Sequence, residues 1–494
     1  MFIWSFKGLC CCFAELCNTV LKKYIFICSI IHKKLMKGKV DIKIAVILGV
    51  IGFLALVTLG YFLTKEKAPP EEIKIVKNVT PTTPVPKKIE TKAAYAWSTN
   101  TDESLAAEEI ANTLKNRLTE EPDFIFLFAT VDYDVNKLIN EIKKRLPNTK
   151  IYGGTSCLAV LTPDGYIKGE AGSVAALGVK SKDITFGVGY ASLDNMTARE
   201  AGRKAILNAI ANAGNPSGKP KIIFMTAAPG QEEEIIAGIE EVVGSDVPIF
   251  GGSSGDNDIS GKWKQFANDK VLSNGVALAV MYTDLTIGYA YEAGYIITKY
   301  RGTITRGEGR VIYEIDGRPA AEVYNEWTNG LISEELEKGG RVWGIIEKAT
   351  FYPIAKVLTT KEGKLFYLAM HPLAVNATDK SISVFANVNT GDKVALMIGD
   401  WEILLNRFYT TPRLAMATFD IERNEPIFAI YTFCAGTMLV IPEDEREKMS
   451  LLIKEAIGEN VPFVGTFTFG EQGHVPEIGN LHGNLVNSIV MITS

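Results

Sequence analysis

The sequence predicts an α/β protein with repeated βαβ-type units and added antiparallel strands, forming a two-part body behind one N-terminal transmembrane helix. In the body, apolar segments of strand length alternate three times with amphipathic segments of helical length. The segment 175–187 recurs at 276–288 with six identities in 13 positions, including the Asp-x-Thr-x-Gly ending. Residues 44–64 form an apolar run of 21 residues without a charge. These three observations define the fold class.

The composition is that of a folded protein and narrows the classes of function. Of the 494 residues, 47% are hydrophobic, and 52 basic side chains face 57 acidic ones for a net charge of −5. Such a balance argues against a nucleic-acid-binding protein, which would carry a basic field. The four histidines are scattered and neither CxxC nor HExxH occurs, so we expect no metal site and no cofactor.

The N-terminal part predicts membrane attachment. Residues 1–43 form a basic, Cys-rich segment, and 44–64 are long enough to span a bilayer as a helix. Residues 65–92 are rich in Pro, Lys and Thr, as expected of an extended linker. Met36 precedes a signal-anchor-like pattern, and we hypothesise that translation starts there. Lysines before the apolar run favour a single-pass protein whose body is extracytoplasmic.

The first unit of the body reads helix, strand, helix, strand. Asp102 or Ser104 can cap a helix that ends at Leu118. The apolar strand Phe124 to Ala129 follows, then a helix from Asn136 to Leu146 and the glycine-containing segment Lys150 to Ser156. This order predicts two parallel strands joined by a crossover helix.

Two further copies of this unit follow. The second comprises a strand at 221–226, a helix at 232–243 and a strand at 248–254. The third comprises a strand at 429–436, a helix at 443–457, the segment 462–473 and a final strand at 485–493. Between the second and third copies, the sequence pattern of residues 313–400 differs and predicts short strands. We therefore predict an N-terminal domain at 93–313 and a C-terminal domain at 314–494.

Two glycine-rich segments could suggest catalysis or phosphate binding. Gly251 to Gly255 fits G-x-S-x-G with Ser253 as the central residue, but no helix follows as a nucleophile elbow requires. We interpret it as a glycine turn that faces a ligand or closes a loop. Arg301 to Arg310 lacks the P-loop ending, and we interpret it as an exposed turn.

Cys434 and Glu471 are the other residues whose side chains could react or bind a ligand. Cys434 ends an apolar strand; it could be a buried thiol, a nucleophile with His474 or Glu471 as base, or a disulfide partner of Cys157. Glu471 lies between Gly470 and Gly473, where it could bind a ligand amine or remain a solvated loop carboxylate.

These motifs together resemble the FIST family, with its FIST N-terminal and FIST_C regions. The similar segments include PDFIFLFAT, IYGGTS, IFGGSSGD, HPLAV, FCAG and GTFTFGEQG, between residues 93 and 494. The resemblance implies a non-enzymatic sensor of a small ligand, with an amino acid or related polar metabolite as the expected ligand. It implies ligand-binding positions at Gly251, Gly252, Ser253, Ser254, Cys434, Gly470 and Glu471.

The chain departs from the family pattern in two respects. Thr437 follows Gly436 where the family often has Arg, and no output domain is recognisable. We therefore expect an unknown signalling partner or the membrane helix to transmit the signal. Two other hypotheses stay open: an enzyme of unknown reaction that uses Cys434 or Ser253, and a non-catalytic membrane-tethered scaffold.

Overall fold

The computed structural model describes residues 89–421 and 424–494, which lie within the compact unit Lys87–Ser494. The predicted membrane helix at 44–64, the segment 1–43 and almost all of the linker at 65–92 fall outside the described residues. Within the described ranges, no helix combines the length and apolar character needed to cross a bilayer.

The first repeat begins with an edge strand and confirms the predicted helix–strand–helix–strand order. Its elements are β1 (Thr91–Ser98), α1 (Glu103–Leu118), β2 (Phe124–Ala129), α2 (Val135–Arg145), β3 (Lys150–Thr155), β4 (Val160–Thr162), β5 (Gly165–Ile167) and β6 (Val174–Ser181). The Asp102 carboxylate caps α1 by accepting hydrogen bonds from the backbone N–H groups of Ser104 and Leu105.

The second repeat has the same order and includes one helix that sequence analysis did not predict. Its elements are β7 (Ile184–Ser192), α3 (Ala198–Asn212), β8 (Ile222–Ala227), α4 (Glu232–Val243), β9 (Ile249–Ser253), β10 (Gln265–Ala267), β11 (Lys270–Leu272) and β12 (Gly275–Thr283). The unpredicted helix is α3, which begins at a capping box between Thr197 and Glu200.

The third repeat starts with β13 (Ile287–Glu292) and is then interrupted by a long insertion. The insertion contains β14 (Ile296–Glu308), β15 (Val311–Ile315), β16 (Arg318–Pro319), α5 (Ala320–Trp327), α6 (Ser333–Lys338), β17 (Val342–Gly344), α7 (Ile346–Ala349), β18 (Ile354–Thr359), β19 (Leu365–Met370), β20 (Pro372–Asn376), β21 (Ser381–Val384) and β22 (Lys393–Ile398). These strands form a nine-stranded sheet of their own. The predicted division between residues 313 and 314 falls within β15.

The repeat resumes after the insertion. It continues with α8 (Trp401–Met416), β23 (Pro426–Cys434), α9 (Ala435–Leu439), a 3₁₀ turn (Glu443–Glu445), α10 (Lys448–Ile457), β24 (Phe463–Thr468), β25 (Glu471–Val475), β26 (Gly479–Gly483) and β27 (Asn487–Thr493). The single helix predicted at 443–457 is therefore wrong at its start, since the α-helix begins only at Lys448.

Each repeat contributes four strands to one six-stranded sheet, which a hairpin from another repeat completes, and the three sheets have equivalent strand orders. The orders are β1-β6-β2-β3-β10-β11, β7-β12-β8-β9-β25-β26 and β13-β27-β23-β24-β4-β5. The central pairs are parallel, as predicted, and the strand that closes each repeat pairs antiparallel beside them.

The repeats exchange their hairpins in a cycle. The hairpin β4–β5 of the first repeat pairs with β24 of the third, β25–β26 of the third pairs with β9 of the second, and β10–β11 of the second pairs with β3 of the first. Where the parallel strands end, a matching cycle of backbone hydrogen bonds runs from Gly255 N to Thr155 O (2.9 Å), from Cys157 N to Phe467 O (2.9 Å) and from Phe469 N to Ser253 O (3.0 Å). The carboxyl ends of all three parallel pairs therefore meet.

Candidate functional site

The main cavity lies between the insertion and the carboxyl ends of β23 and β24, and we call it the interface cavity. Its volume is about 310 Å³. The residues that line it are Cys157, Pro229, Asp256, Asn257, Asp258, Ile259, Trp263, Arg310, Ile346, His371, Phe385, Cys434, Gly436, Leu439, Thr468, Phe469, Gly470 and Asn484. Ligands of open α/β sheets commonly bind at the carboxyl ends of parallel strands.

Two glycines help to shape this cavity. At Gly436, an added Cβ would lie 3.5 Å from Cε1 of His371 and 3.7 Å from Sγ of Cys434, so a side chain there would extend among the lining residues. Gly470 has φ +133°, and an added Cβ would lie 2.5 Å from Cε1 of His482. Gly470 therefore permits both the turn and the close approach of β26.

One wall of the cavity presents a pair of linked polar side chains, His371 and Asn484. Both residues are almost fully buried. The His371 backbone N–H donates to Oδ1 of Asn484 (3.3 Å). Nε2 of the His371 ring lies within hydrogen-bonding distance of the Ile346 carbonyl oxygen (2.8 Å) and of the Thr350 hydroxyl oxygen (3.2 Å). Burial lowers the pKa of His371 to about 4, despite the opposing hydrogen bond to Ile346, so the ring is neutral at pH 7.

Arg310 contributes a charge that is already paired. Its Nη2 donates to Oε2 of Glu232 (2.7 Å) and to Oε2 of Glu233 (2.8 Å), both on α4. Burial raises the pKa of Glu232, but charge interactions with His482 and Arg310 and a hydrogen bond from Ser253 outweigh it and bring the pKa to about 2. Residues 301–308 belong to β14 and only Gly309 and Arg310 form a turn, so the interpretation of the whole segment 301–310 as an exposed turn is wrong.

A second polar layer lies behind Arg310. The Ser253 hydroxyl donates to Oε1 of Glu232 (2.7 Å), and the Gln472 amide lies 3.1 Å from Nδ1 of His482. Glu232, Glu233 and His482 bring potential metal-ligand atoms within 4.8 Å of one another. Because Nη2 of Arg310 bonds both carboxylates, a cation already occupies the position between them. The cluster fits an internal ion pair better than a metal site.

Ser253 is buried in this layer and does not line the interface cavity. Its hydroxyl is oriented toward a carboxylate, and no helix follows β9 before β10. These facts give the serine neither substrate access nor the geometry of a nucleophile elbow.

The predicted glycines have a packing role. An added Cβ on Gly251 would lie 2.0 Å from the Met225 carbonyl oxygen, and one on Gly252 would lie 2.5 Å from Cγ2 of Thr468. Together with Ser254 they border a narrow internal void of about 10 Å³ rather than the interface cavity. A void of that size holds about one water molecule.

Both cysteines of the described chain line the interface cavity as free thiols. The disulfide considered between Cys157 and Cys434 is therefore not formed. Burial raises the pKa of Cys157 to about 12, with the Asp256 charge adding to the effect. Burial and the charge of Glu471 also raise the pKa of Cys434. Thiols held in the protonated form are poor nucleophiles.

Glu471 is fully buried, so the interpretation as a solvated loop carboxylate is wrong. It accepts hydrogen bonds from the Thr468 hydroxyl (2.8 Å) and from Val486 N (3.1 Å), and it does not line the interface cavity. Burial raises its pKa to about 8, with those hydrogen bonds opposing the shift. His474, the other base considered for Cys434, pairs instead with Asn480 (3.0 Å).

The structure thus brings Cys434 and Gly470 of the predicted positions to the cavity, and places Gly251, Gly252, Ser253, Ser254 and Glu471 behind it. Sequence analysis missed His371, Asn484, Arg310 and Trp263. For His371 a weak signal existed, because it is a single histidine next to a proline within an apolar strand pattern. For the others no local pattern marks a role.

Comparison with known families shows which family the chain belongs to. The FIST N domain matches residues 123–318 and the FIST C domain matches residues 320–474. The chain therefore belongs to the FIST family, whose domains are sensory, ligand-binding modules and generally non-catalytic.

Individual relatives add little about function. The chain is 32% identical over 97 residues to the uncharacterized protein MJ1623 of Methanocaldococcus jannaschii, a match that covers 19% of this chain and 18% of that protein. It thus covers less than a fifth of that relative's length.

Similar solved structures are remote. A cyanuric acid hydrolase from A. caulinodans has a TM-score of 0.26 at 9% identity, covering 47% of this chain and 84% of that one. A second cyanuric acid hydrolase structure has a TM-score of 0.29 at 7% identity, covering 81% and 99%. T. maritima PurL with ATP has a TM-score of 0.20 at 11% identity, covering 82% and 72%. Scores this low support no conclusion about activity.

Proposed function

We propose that this FIST protein is a sensor that binds a small molecule in the interface cavity, without catalytic activity of its own. The observation that carries the proposal is the polar wall of that cavity. Neither Nδ1 of His371 nor Nδ2 of Asn484 has a hydrogen-bond partner among the described residues. Both residues line the cavity, so a ligand that supplies the missing hydrogen bonds would be favoured.

The position of the cavity suggests how binding is converted into a signal. The insertion supplies Arg310 and His371, whereas the repeats supply Cys434, Gly470 and Asn484. A ligand that contacts both parts would favour the arrangement in which they are close together. The family resemblance suggests an amino acid or related polar metabolite as the ligand.

We extend the proposal to the location of the protein. The apolar run at 44–64 would anchor it as a single-pass membrane protein, with the body extracytoplasmic and a signalling protein as partner. Protease treatment of intact and of lysed cells would test this arrangement. Cleavage of the body only after lysis would contradict the proposed orientation.

A thermal-shift screen of the full chain against amino acids, small peptides and common metabolites tests the sensor proposal. A ligand present at a hundred times its dissociation constant should add about 2.7 kcal/mol to the free energy of unfolding. Substitution Gly436→Leu should abolish the shift because the new side chain occupies ligand space.

Gly344→Leu is the matched control, since no atom lies within 4 Å of an added Cβ there and Gly344 is outside the cavity. If no compound stabilises the protein, or if the shift persists in Gly436→Leu, the proposal is wrong. A complete lack of stabilisation would favour the scaffold hypothesis instead.

The enzyme hypothesis is the second candidate. It requires a reactive Cys434 or Ser253, and the burial of both residues and the raised pKa of the Cys434 thiol argue against it. Labelling of either residue by an activity-based probe in the folded protein, lost on denaturation, would reinstate it.

A further inference from the structure

The tautomer of His371 determines what its free nitrogen can do. The Ile346 carbonyl oxygen can only accept a hydrogen bond, so the ring nitrogen 2.8 Å away, Nε2, must carry the proton. The ring is neutral, so Nδ1 holds a lone pair and is an acceptor. Among the described residues nothing donates to it. Nδ1 could therefore accept a hydrogen bond from a donor group of the ligand.

Asn484 presents the complementary group. Its Oδ1 accepts from the His371 backbone N–H, so Nδ2 is oriented the other way and can donate. An added Cβ on the cavity residue Gly470 would lie 3.4 Å from this Nδ2. The free donor, Nδ2 of Asn484, and the free acceptor, Nδ1 of His371, thus belong to two residues that are hydrogen-bonded to each other. A ligand group with an N–H beside a C=O matches this pair.

The charged lining residues are already engaged by other groups. Nη2 of Arg310 is bonded to two carboxylates, which compensate the positive charge, while its buried Nε has no hydrogen-bond partner among the described residues. Asp256 accepts from the backbone N–H groups of Ile259 (2.6 Å) and Lys262 (2.8 Å), and Asp258 pairs with Lys262 (3.4 Å). Because Nη2 of Arg310 is shared by two carboxylates and both Asp256 oxygens accept backbone hydrogen bonds, an ionised ligand group would exchange its hydration for side chains that are already engaged, which is costly.

Apart from Asn257 and Thr468, the remaining lining is mostly apolar. Phe385 lies beside the His371 ring (centroids 5.8 Å apart), and Trp263 contacts Phe469 edge to face (6.2 Å). At the same cavity, Ile259 and Leu439 are 59% and 49% exposed. Such surfaces favour an apolar or aromatic ligand body.

We propose that the interface cavity selects an uncharged ligand: an apolar or aromatic body that carries an amide or lactam group, with its N–H on His371 and its carbonyl on Asn484. This inference rests on the proposed sensor function and narrows its ligand class. It disfavours free amino acids and favours their uncharged amide derivatives.

Three probes that share one ring test the inference: phenylacetamide, phenylacetate and phenethylamine. Their heads are neutral, anionic and cationic at pH 7. We expect the amide to bind the full chain at least tenfold more tightly than either ion, as measured by ligand-detected NMR titration. Equal or tighter binding of the acid or the amine would overturn the ligand class.

The substitution Asn484→Asp is nearly isosteric, keeps an acceptor for the His371 N–H and removes the donor. We expect it to weaken amide binding at least tenfold, whereas Asn389→Asp, at an exposed turn residue, should leave binding unchanged. His371→Leu provides an independent variant if Asn484→Asp does not fold. Unchanged amide affinity in the folded variants would contradict the proposal.

The two proposals fail in different ways. If none of the three probes binds, the ligand class is wrong, yet a metabolite from the wider screen that stabilises the wild type and not Gly436→Leu keeps the sensor function. If the whole screen is also negative, both are wrong.

Discussion

Nη2 of Arg310 lies 2.7 Å from Oε2 of Glu232, and this ion pair joins the insertion to helix α4 of the second repeat. Glu233 reinforces the connection, since its carboxylate bonds both Arg310 (2.8 Å) and the backbone N–H of Asn387 (2.8 Å) in the insertion. The partially buried guanidinium also lines the interface cavity. The contact that holds the two parts together is thus part of the candidate ligand site.

Loss of Arg310 should destabilise the protein through Glu232. In Arg310→Met the Glu232 carboxylate would stay buried with only Ser253 and His482 to stabilise it, and removing one partner of a buried ion pair typically costs about 3–5 kcal/mol. Adding Glu232→Gln should restore part of the loss because the unpaired charge is gone. Urea denaturation of the two single variants and the double variant measures this coupling. Strictly additive effects would show that the pair does not interact energetically.

Glu471 should make stability fall as pH rises. Its pKa is about 8 in the folded protein against 4.5 for an ordinary Glu, so between these values the folded state holds a proton that the unfolded state has released. The stabilising contribution is therefore complete below pH 4.5 and is lost as pH approaches 8.

Glu471→Gln should remove this pH dependence, because the amide resembles the protonated acid and can bond both Thr468 and Val486. The measurement is the free energy of unfolding of wild type and variant at pH 6 and pH 8.5. Parallel pH profiles for the two proteins would mean that Glu471 is not the titrating group.

Gly251 should tolerate no side chain. Gly251→Ala would bring Cβ to 2.0 Å from the Met225 carbonyl oxygen at a φ of +143°, and we expect a loss of about 3 kcal/mol or more from the combined clash and strain. Gly344→Ala, in open space, should change the free energy of unfolding by less than about 0.5 kcal/mol. Similar chemical denaturation midpoints for the two variants would refute the packing role.

Cys157 and Cys434 should react slowly with alkylating agents in the folded protein. Burial keeps both thiols protonated and shielded, so we expect labelling by iodoacetamide at pH 8 to be at least tenfold slower than in urea. Peptide mass spectrometry separates these sites from the five cysteines before residue 29. Fast labelling of native Cys434 would revive the nucleophile hypothesis.

Local patterns were sufficient for most elements of the three repeats. The cap at Asp102, the strand Phe124–Ala129 and helix Glu232–Val243 appear where the sequence places them. The start of α10 was not predictable, because Glu443–Glu445 has helical composition but forms a 3₁₀ turn. Helix α3 was missed although Thr197 and Glu200 form a recognisable capping box.

Residue type was a poor guide to the site. Glu471 and Ser253 carry groups that are reactive in many proteins, yet each is satisfied by buried partners. His371 and Asn484 are distant in sequence from each other and from Arg310, and only the packing of the insertion against the repeats brings them to one cavity.

By itself the sequence determined the repeated strand–helix–strand unit, the parallel central pairs and the family, because hydrophobic periodicity, caps and glycines act over a few residues. Only the tertiary structure decided which sheet each hairpin joins and which side chains meet at the cavity. The physical reason is that strands pair through backbone groups that are the same in every residue, so a hairpin such as β4–β5 fits several sheet edges equally well on local grounds. Its partner is selected by the packing of the whole body, and that packing also decides whether a polar side chain is buried, paired or left free for a ligand.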